Sequence, residues 1–445
     1  MKKSYHTIGK QGKENEQELA GYLARSGQIL LPMVDLIEQC RLACDELIDA
    51  TGRAAIEAVL QLSASHAAGG PAQQGRRRPG EVVFHGRQAG QVMLSDRKIQ
   101  VERPRLRTKG RGRSKEVEIP AYSAMQDQSP LGEHMLDTLL HGVSTRNYKD
   151  VIPQMAETVG VSKSSVSRQA IEASEAELEA LLSHRFDELK ILIVYIDGVV
   201  FGEHTMIGAV GVDVKGHKHV LGIREGATEN ATVVVELLQD IVARGLDAKQ
   251  KRLFIIDGSK ALRAAINAVF GADQPVQRCR AHKLRNTGVP TDGFLSVGWN
   301  VLDHLPEEQK EQVKSLMRAA WKMEAKAGMA RIRKLADWLE REYPSAVASL
   351  LEGLEECFTI NRLGVPPSLQ RCLATTNIIE SPHAGVRIRT RRVTYWQNGS
   401  MVRRWMASAF LRTEKNFRRI MGYRELWTLE AILSESQFAT QQAVA

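Results

Sequence analysis

The chain has 445 residues, of which 43% are hydrophobic and 25% are charged, as in an ordinary globular protein with a substantial core. Its formal net charge of +9 and pI of about 9.3 are a modest indication of a polyanionic partner. No apolar run approaches the roughly 18 residues of a membrane span, and no apolar signal core follows Met1. We therefore expect a cytoplasmic protein of roughly two to four domains without membrane contact.

The first 128 residues predict two regions. Apolar side chains recur at helical spacing over residues 15–67, so we expect an N-terminal helical region at 1–68. The glycine-rich stretch that follows is typical of a linker. Short runs of β-branched residues, separated by glycines and basic clusters, then predict a basic β-rich module over 69–128.

Residues 129–185 return to helical spacing and contain a candidate helix-turn-helix. A helix that ends at Gly160, followed by Ser162 as the N-cap of a second helix, matches this motif, with Val161 and Val166 packed inward. Three-helix folds also use such turns for purely structural reasons. We favour DNA contact, because the second helix is rich in hydroxyl and cationic side chains. The predicted DNA contacts are Ser162, Lys163, Ser164, Ser165, Ser167 and Arg168.

Residues 186–288 predict an α/β core. The apolar run 191–197 is typical of a strand buried on both faces, and two further β segments with turns near Gly202 and Gly216 complete an antiparallel meander. A helix, a fourth strand that ends at Asp257, another helix and a fifth strand follow. This order of elements is that of a ribonuclease-H-like core.

The rest of the chain predicts mostly helix. Residues 289–372 are expected to form an all-helical insertion that interrupts the core, and residues 373–445 the last part of the core, with a catalytic helix and basic C-terminal helices. Two groups of cations are expected to bind DNA phosphates. They are Lys283 and Arg285 after the fifth strand, and Arg387, Arg389, Arg391 and Arg392 in the C-terminal part.

Three acids are candidates for catalysis. Asp197 and Asp257 each follow an apolar strand, and Glu380 lies near the start of a later helix. A carboxylate is costly to leave unpaired beside a core, and open α/β sheets bind ligands at the carboxyl ends of their strands, so we expect a shared cation. Carboxylates that converge on Mg²⁺, or on Mn²⁺ as its substitute, are the minimum equipment for cutting phosphodiester bonds. We therefore predict these three acids as catalytic and metal-binding residues.

Each acid also has a structural alternative. Asp197 and Asp257 are both followed by glycine, as in common Asp-Gly turns. Glu380 stands three positions after Asn377, which is the spacing of a capping box that begins a helix. The paired occurrence of the two aspartates favours the catalytic interpretation, whereas spacing alone leaves both interpretations of the glutamate open.

Cys279 and His282 have the Cys-x-x-His spacing of half a zinc site. A full site needs two more ligands, and Cys357 and Cys372 are candidates without diagnostic spacing. His282 is also a candidate phosphate contact, or an ordinary hydrogen-bonded histidine. The five cysteines of the chain are odd in number and widely scattered, which indicates a reducing compartment and not a disulfide framework.

Four segments together resemble the Mutator-like family of bacterial insertion-sequence transposases, which are of the Asp-Asp-Glu type. They are HVLGIREGATEN at 219–230, DGSK at 257–260, QRCRAHKLRN at 277–286 and TNIIE at 376–380. The resemblance implies a catalytic triad of Asp197, Asp257 and Glu380 on a ribonuclease-H-like fold with a helical insertion. It also implies that Cys279 and His282 support the active site and do not bind zinc.

The expected function is therefore a magnesium-dependent DNA transposase. Its N-terminal half would bind the terminal inverted repeats of an insertion sequence, and the triad would direct water at the strand end to free a 3′-hydroxyl that attacks target DNA. Both element ends must be held together, so we expect a homodimer or a higher assembly on double-stranded DNA. The alternatives are a related nuclease without strand transfer and a non-catalytic DNA-binding regulator.

Overall fold

The structure is a computed structural model that describes residues 51–70, 82–93, 98–108, 115–126, 129–145, 162–227, 230–284 and 300–444. These residues form a mixed α/β fold in two compact units. The first unit is Met1–Met135 with Thr145–Gln169, and the second is Leu136–Ser144 with Ala170–Ala445. Within the described part of the chain, none of the helices has the length and apolar character that spanning a membrane requires.

Several predicted features lie outside the described residues. They are most of the N-terminal helix predicted over 15–67, the first helix of the candidate helix-turn-helix up to Gly160, the inward-facing Val161 and the phosphate contact Arg285.

In the first unit a helix packs on a small antiparallel sheet. Helix α1 spans 51–67, and the strands β1 (Val82–Met93), β2 (Lys98–Thr108) and β3 (Glu116–Val117) lie in the order β1-β2-β3. Leu60 and Ala64 are four residues apart and therefore share one face of α1. Both are fully buried, Leu60 against Val92 and Ala64 against Leu106. The helix thus covers the apolar face of the sheet.

Three helices follow this sheet: α2 (Pro120–Ala124), α3 (Ser129–Leu140) and α4 (Lys163–Ser183). Ser162 is the N-cap of α4 as predicted, because its hydroxyl accepts a hydrogen bond from the backbone N–H of Ser165 at 3.2 Å. Val166 is fully buried and packs against Leu131 and Met135, which confirms its predicted inward side. The helix-turn-helix as a whole stays a prediction.

The second unit is built on a five-stranded sheet in the order β6-β5-β4-β7-β8. Its strands are β4 (Ile191–Phe201), β5 (His204–Asp213), β6 (Lys218–Glu225), β7 (Leu253–Ile256) and β8 (Val276–Arg278). Strands β4 to β6 are antiparallel, with turns at Gly202 and Gly216 whose φ angles are positive, whereas β7 and β8 run parallel to β4. The predicted meander and the predicted order of strands and helices are confirmed.

Successive side chains of the central strands enter different cores, because strand residues alternate between the two faces of a sheet. On one face, Val194 and Ile196 pack with helices α5 (Ala231–Ala243) and α6 (Lys260–Phe270). On the other face, Ile193 and Tyr195 pack with Ile379 and other residues of the C-terminal helices. Burial on both faces explains the continuous apolar runs in the sequence.

The segment between β8 and residue 373 is helical in its described part. Its helices are α7 (Arg280–Leu284), α8 (Glu307–Ala320), α9 (Ala325–Leu339), α10 (Pro344–Leu351), α11 (Leu354–Cys357), α12 (Thr359–Arg362) and α13 (Pro367–Leu373). A core of its own holds α8 to α11 together, with Val313, Ile332, Leu350 and Phe358 at its centre.

Three long helices complete the chain: α14 (Asn377–Thr390), α15 (Gly399–Glu414) and α16 (Leu426–Val444). The apolar face predicted for α15 is confirmed, since Val402, Met406 and Phe410 are fully buried. Glu414 at the end of α15 accepts a hydrogen bond from the backbone N–H of Val220 at 2.8 Å. This contact covers part of the sheet edge formed by β6, whose backbone groups would otherwise be open to pairing.

We expect Gln277→Leu to lower the free energy of unfolding by about 2 kcal/mol, because it leaves buried backbone groups without partners. Gln277 is fully buried in β8; its Nε2 donates to the carbonyl of Cys357 at 3.1 Å, and its Oε1 accepts from the N–H of Ile360 at 3.1 Å. Urea unfolding measures the loss. Gln397→Leu, at an exposed position, is the control. Equal urea midpoints for the two variants would contradict this account.

Candidate active site

The two aspartates lie in, or directly after, neighbouring strands of the sheet. Strands β4 and β7 are parallel, with Tyr195 paired to Ile255. Strand β7 ends at Ile256, so Asp257 lies one residue beyond it, and a continuation of the register past the strand end would bring Asp257 towards Asp197. Asp197 lies within β4 and follows the alternation of Tyr195, so it is on the face of the sheet that packs against the C-terminal helices, where His383 contacts it. Both aspartates are only half-buried, in contrast to the strand residues before them.

The alternative of an Asp-Gly turn is wrong for Asp197. It is right for Asp257, as a description of the local backbone geometry. Asp197 lies within β4, paired with Gly208, and the strand continues to Phe201 instead of ending at the aspartate as predicted. Asp257 does form a turn, in which its Oδ1 accepts from the N–H of Ser259 at 2.9 Å. A turn hydrogen bond at one carboxylate oxygen is compatible with metal ligation by the side chain.

Glu380 reaches the same face of the sheet through helix α14. Ile379 is fully buried in the core under that face, which places Glu380 in the first turn of a helix that packs on the sheet. The capping-box alternative is wrong, because the helix begins at Asn377 and its N-cap is Thr376. The carboxylate instead accepts a hydrogen bond from the Thr376 hydroxyl, with Oγ1 and Oε1 2.5 Å apart.

Backbone contacts join the start of α14 to the end of β8. The N–H of Arg280 donates to the carbonyl of Ala374 at 2.9 Å, and the N–H of Thr376 donates to Sγ of Cys279 at 3.4 Å. Cys279 is itself held against β7, since its N–H donates to the carbonyl of Ile256 at 2.8 Å. These contacts bring a segment that is distant in sequence to the edge that carries Asp257.

Cys279 and His282 form one hydrogen-bonded pair. Burial acts to raise the pKa of the Cys279 thiol, but the hydrogen bonds and charge of His282, together with the hydrogen bond of Thr376, lower that pKa. Burial likewise acts to lower the pKa of His282, but the hydrogen bond and charge of Cys279, together with the nearby carboxylates, raise it to about 9. The pair is therefore polarised towards thiolate and imidazolium.

The zinc alternative finds a different third partner from those predicted. Among the described residues, the ligand atoms of Cys279, His282 and Glu380 lie within 4.8 Å of one another, and neither Cys357 nor Cys372 joins this group. Cys372 is directed elsewhere, since its thiol donates to the carbonyl of Leu369. The alternative of a zinc site completed by Cys357 and Cys372 is therefore wrong.

The three carboxylates have the oxygen chemistry that magnesium prefers, but in the described structure their ligand atoms are not grouped within 4.8 Å of one another as those of Cys279, His282 and Glu380 are. Carboxylate oxygens are the ligands that hard cations prefer, and Asp197, Asp257 and Glu380 are each accessible from solvent beside a buried sheet. A thiol is a soft ligand that does not suit Mg²⁺, so Cys279 is not expected among its ligands.

His383 is a site residue that the sequence reasoning missed. It lies three residues after Glu380 and thus on the same face of α14. Its Nδ1 is 3.4 Å from Oδ2 of Asp197, and its side chain is only 5% exposed. Gly208 makes room for it, because a Cβ on this glycine would lie 3.0 Å from the His383 Nε2. The helical spacing from Glu380 was the only signal in the sequence, and it does not reveal contact with a strand.

The predicted DNA contacts of α4 are mostly accessible. Lys163, Ser164 and Arg168 are exposed, as is the N-cap Ser162, whereas Ser165 and Ser167 are half-buried. In the C-terminal part, Arg387, Arg391 and Arg392 are exposed. Arg389 is half-buried, and its Nη1 donates to the carbonyl of Gly385 at 3.2 Å.

Lys283 is not a phosphate contact as predicted. It is 4% exposed, and its Nζ donates to the carbonyl oxygens of Ser349 and Glu352 at the end of α10. Burial lowers its pKa to about 8. A helix leaves its last carbonyls without partners, and Lys283 satisfies two of them. In the sequence, Lys283 is one of several neighbouring cations. Its burial under α10, which is distant in sequence, determines that it binds carbonyl groups.

Known proteins resemble this chain along most of its length. The transposase of insertion sequence element ISRM5 from Rhizobium meliloti is 25% identical over 382 residues, which cover 83% of this chain and 88% of that protein. The transposase of IS1081 from Mycobacterium tuberculosis is 26% identical over 318 residues, which cover 68% and 71%. The family model "Transposase, Mutator family" matches residues 31–419. The chain therefore belongs to the Mutator family of transposases.

Proposed function

We propose that the chain binds the terminal inverted repeats of an insertion sequence and catalyses metal-dependent strand cleavage and strand transfer. The observation that carries this proposal is the parallel pairing of the strands that lead to Asp197 and Asp257, together with the contact of Asp197 with His383 on the helix that carries Glu380. Membership of a transposase family and the names of the relatives support it.

The three carboxylates would hold the divalent cations. Mg²⁺ or Mn²⁺, when bound, would activate the attacking oxygen and stabilise the leaving oxygen. Asp197, Asp257 and Glu380 would each contribute carboxylate oxygens to hold these cations. No covalent intermediate between protein and DNA is needed, because no side-chain nucleophile takes part.

We further propose that the five-stranded sheet is a ribonuclease-H-like core. Its strands lie in the order β6-β5-β4-β7-β8, and β5 runs antiparallel to the other four strands. This arrangement supports the assignment. The proposed parts are 1–68, 69–128 and 129–185 for DNA binding, 186–288 and 373–445 for the core, and 289–372 for the helical insertion.

Two element ends must be joined, so we propose a homodimer or a higher assembly that acts at the nucleoid in the cytoplasm.

The exposed arginines after Glu380 are proposed to bind DNA phosphates. Arg391→Ala is expected to weaken binding for all DNA sequences alike and to reduce the slope of log affinity against log salt by about 1. Lys283→Met should leave this slope unchanged, because Lys283 is buried under α10. Fluorescence anisotropy at several salt concentrations measures both. If the slope were reduced in the Lys283 variant and unchanged in the Arg391 variant, Lys283 and not Arg391 would be the residue that contacts phosphate.

One assay separates the proposed function from its alternatives. Purified protein is given Mg²⁺ or Mn²⁺ with DNA that carries the element's own ends, and pre-cut ends are offered together with a target plasmid. The proposal expects a free 3′-hydroxyl at the element boundary and covalent joining to the plasmid. Cleavage without joining would identify the nuclease alternative, and end binding without any cleavage would identify the regulator.

A further inference from the structure

Thr376 contacts three groups of the candidate active site at once. Its side chain is fully buried at the start of α14. Its hydroxyl oxygen lies 2.5 Å from Oε1 of Glu380, 3.3 Å from Nδ1 of His282 and 3.4 Å from Sγ of Cys279. The interpretation of Cys279 and His282 as half a zinc site does not account for a hydroxyl between them and the carboxylate.

The hydroxyl has a defined role in this network, because it carries one hydrogen and two lone pairs. The shortest contact, to the carboxylate of Glu380, takes the hydrogen, as charge-assisted bonds of this length do. The lone pairs then face Nδ1 of His282, which can donate to them. The position of the Glu380 carboxylate thus depends on a hydroxyl that the Cys-x-x-His pair orients.

The other end of the network is attached to the sheet. Cys279 donates its N–H to the carbonyl of Ile256, the last residue of β7 before Asp257. Sγ of Cys279 accepts the N–H of Thr376, so the backbone at the start of α14 is held at the same point. A continuous series of contacts therefore runs from the strand that carries Asp257, through Cys279 and Thr376, to Glu380.

We propose that Thr376 is a positioning residue, through which Cys279 and His282 hold the carboxylate of Glu380 in place relative to the aspartates. This inference rests on the proposed role of Glu380 as a metal ligand. It assigns the Cys-x-x-His pair a task in aligning the triad that requires no zinc. Residues that hydrogen-bond a metal-ligating carboxylate tune metal affinity, and their removal typically weakens it about 10–100-fold.

The test compares three variants of the full chain. Thr376→Val keeps the shape of the side chain and removes the hydroxyl, whereas Thr376→Ser keeps the hydroxyl. Thr375→Val is the matched control, because the hydroxyl of Thr375 is buried without a hydrogen-bond partner among the described residues. The measurements are Mn²⁺ affinity by calorimetry without DNA, the Mg²⁺ concentration for half-maximal cleavage, and the thermal midpoint.

We expect Thr376→Val to weaken Mn²⁺ binding and to raise the required Mg²⁺ concentration, each by about 10–100-fold. Thr376→Ser should restore most of both values, and Thr375→Val should behave as the wild type. Unchanged Mn²⁺ affinity in Thr376→Val, or an equal loss in Thr375→Val, would overturn the proposal.

A double-mutant cycle tests whether the cysteine acts through the threonine. Cys279→Ala should weaken Mn²⁺ binding in the wild-type background and have no further effect in the Thr376→Val background, whereas additive losses would overturn the relay. If Thr376→Val does not fold, unchanged Mn²⁺ affinity in Cys279→Ala overturns it as well. The two proposals can fail separately. If the variants show the expected Mn²⁺ affinities but the wild type does not cleave DNA, the positioning role is supported and the proposed reaction is rejected.

Discussion

Replacing Asp257 by asparagine is expected to abolish DNA cleavage while DNA binding persists. The loss should be at least about 10³-fold in rate, since metal-ion catalysis contributes several kcal/mol to the transition state and each 1.36 kcal/mol is tenfold. Asn retains the side-chain oxygen that accepts a hydrogen bond in the turn but loses the charge that a divalent cation requires. Asp197→Asn should have the same effect, because the proposed triad assigns both aspartates to the same cations and their strands are neighbours in the sheet.

The chain offers a matched control for this substitution. Asp247 is exposed and forms the same kind of turn, in which its Oδ1 accepts from the N–H of Lys249 at 2.9 Å. Asp247→Asn should leave cleavage unchanged. Single-turnover cleavage of end-labelled DNA, with binding measured by gel shift, separates the two variants. Full activity in Asp257→Asn would show that Asp257 is only a turn residue and would remove the basis of the proposed triad.

Gly258→Ala is expected to reduce both stability and activity. The φ angle of Gly258 is +110°, in a region that L-residues rarely adopt, and an added Cβ would lie 2.0 Å from Nε of Arg278. Arg278 cannot simply withdraw, because its Nη2 donates to Oε2 of Glu352 at 3.0 Å. Backbone strain and the disturbed ion pair together should cost about 2–4 kcal/mol of unfolding free energy. A shift of Asp257 by about 1 Å would in addition slow cleavage about 10²-fold.

Gly364→Ala isolates the contribution of backbone strain. Gly364 also has a positive φ, of +64°, but apart from its chain neighbours no atom of the described residues lies within 4 Å of the position of its Cβ. Gly364→Ala should lower the free energy of unfolding by only about 1 kcal/mol and should retain cleavage activity. Denaturant unfolding and single-turnover cleavage compare the two alanine variants. Equal losses in both measurements would mean that the contact with Arg278 has no influence on Asp257.

The central strands and their aspartates could be predicted because their signals are local. A continuous apolar run such as 191–196 is typical of a strand buried on both faces, and the glycines at 202 and 216 mark the turns. The N-cap at Ser162 and the inward side of Val166 could be read for the same reason. Periodicity and capping depend on residues within a few positions of each other.

Predictions that depended on distant contacts were less successful. Lys283 looks like its cationic neighbours in sequence, yet burial beneath α10 changes its partners. Glu380 has the spacing of a capping box, yet its carboxylate bonds to Thr376, one position before the predicted cap. In both cases the local pattern allowed two outcomes, and tertiary contacts selected one of them.

The sequence by itself determined the order of strands and helices, the two aspartates after apolar strands, and the motifs that resemble the Mutator family. The tertiary structure decided which groups surround the acids: His383 beside Asp197, and Thr376 between Cys279 and Glu380. The physical reason is the range of the interactions. Alternation and capping act between neighbours along the chain, whereas a hydrogen bond between residues 279 and 376 exists only after strand β8 and helix α14 have packed together.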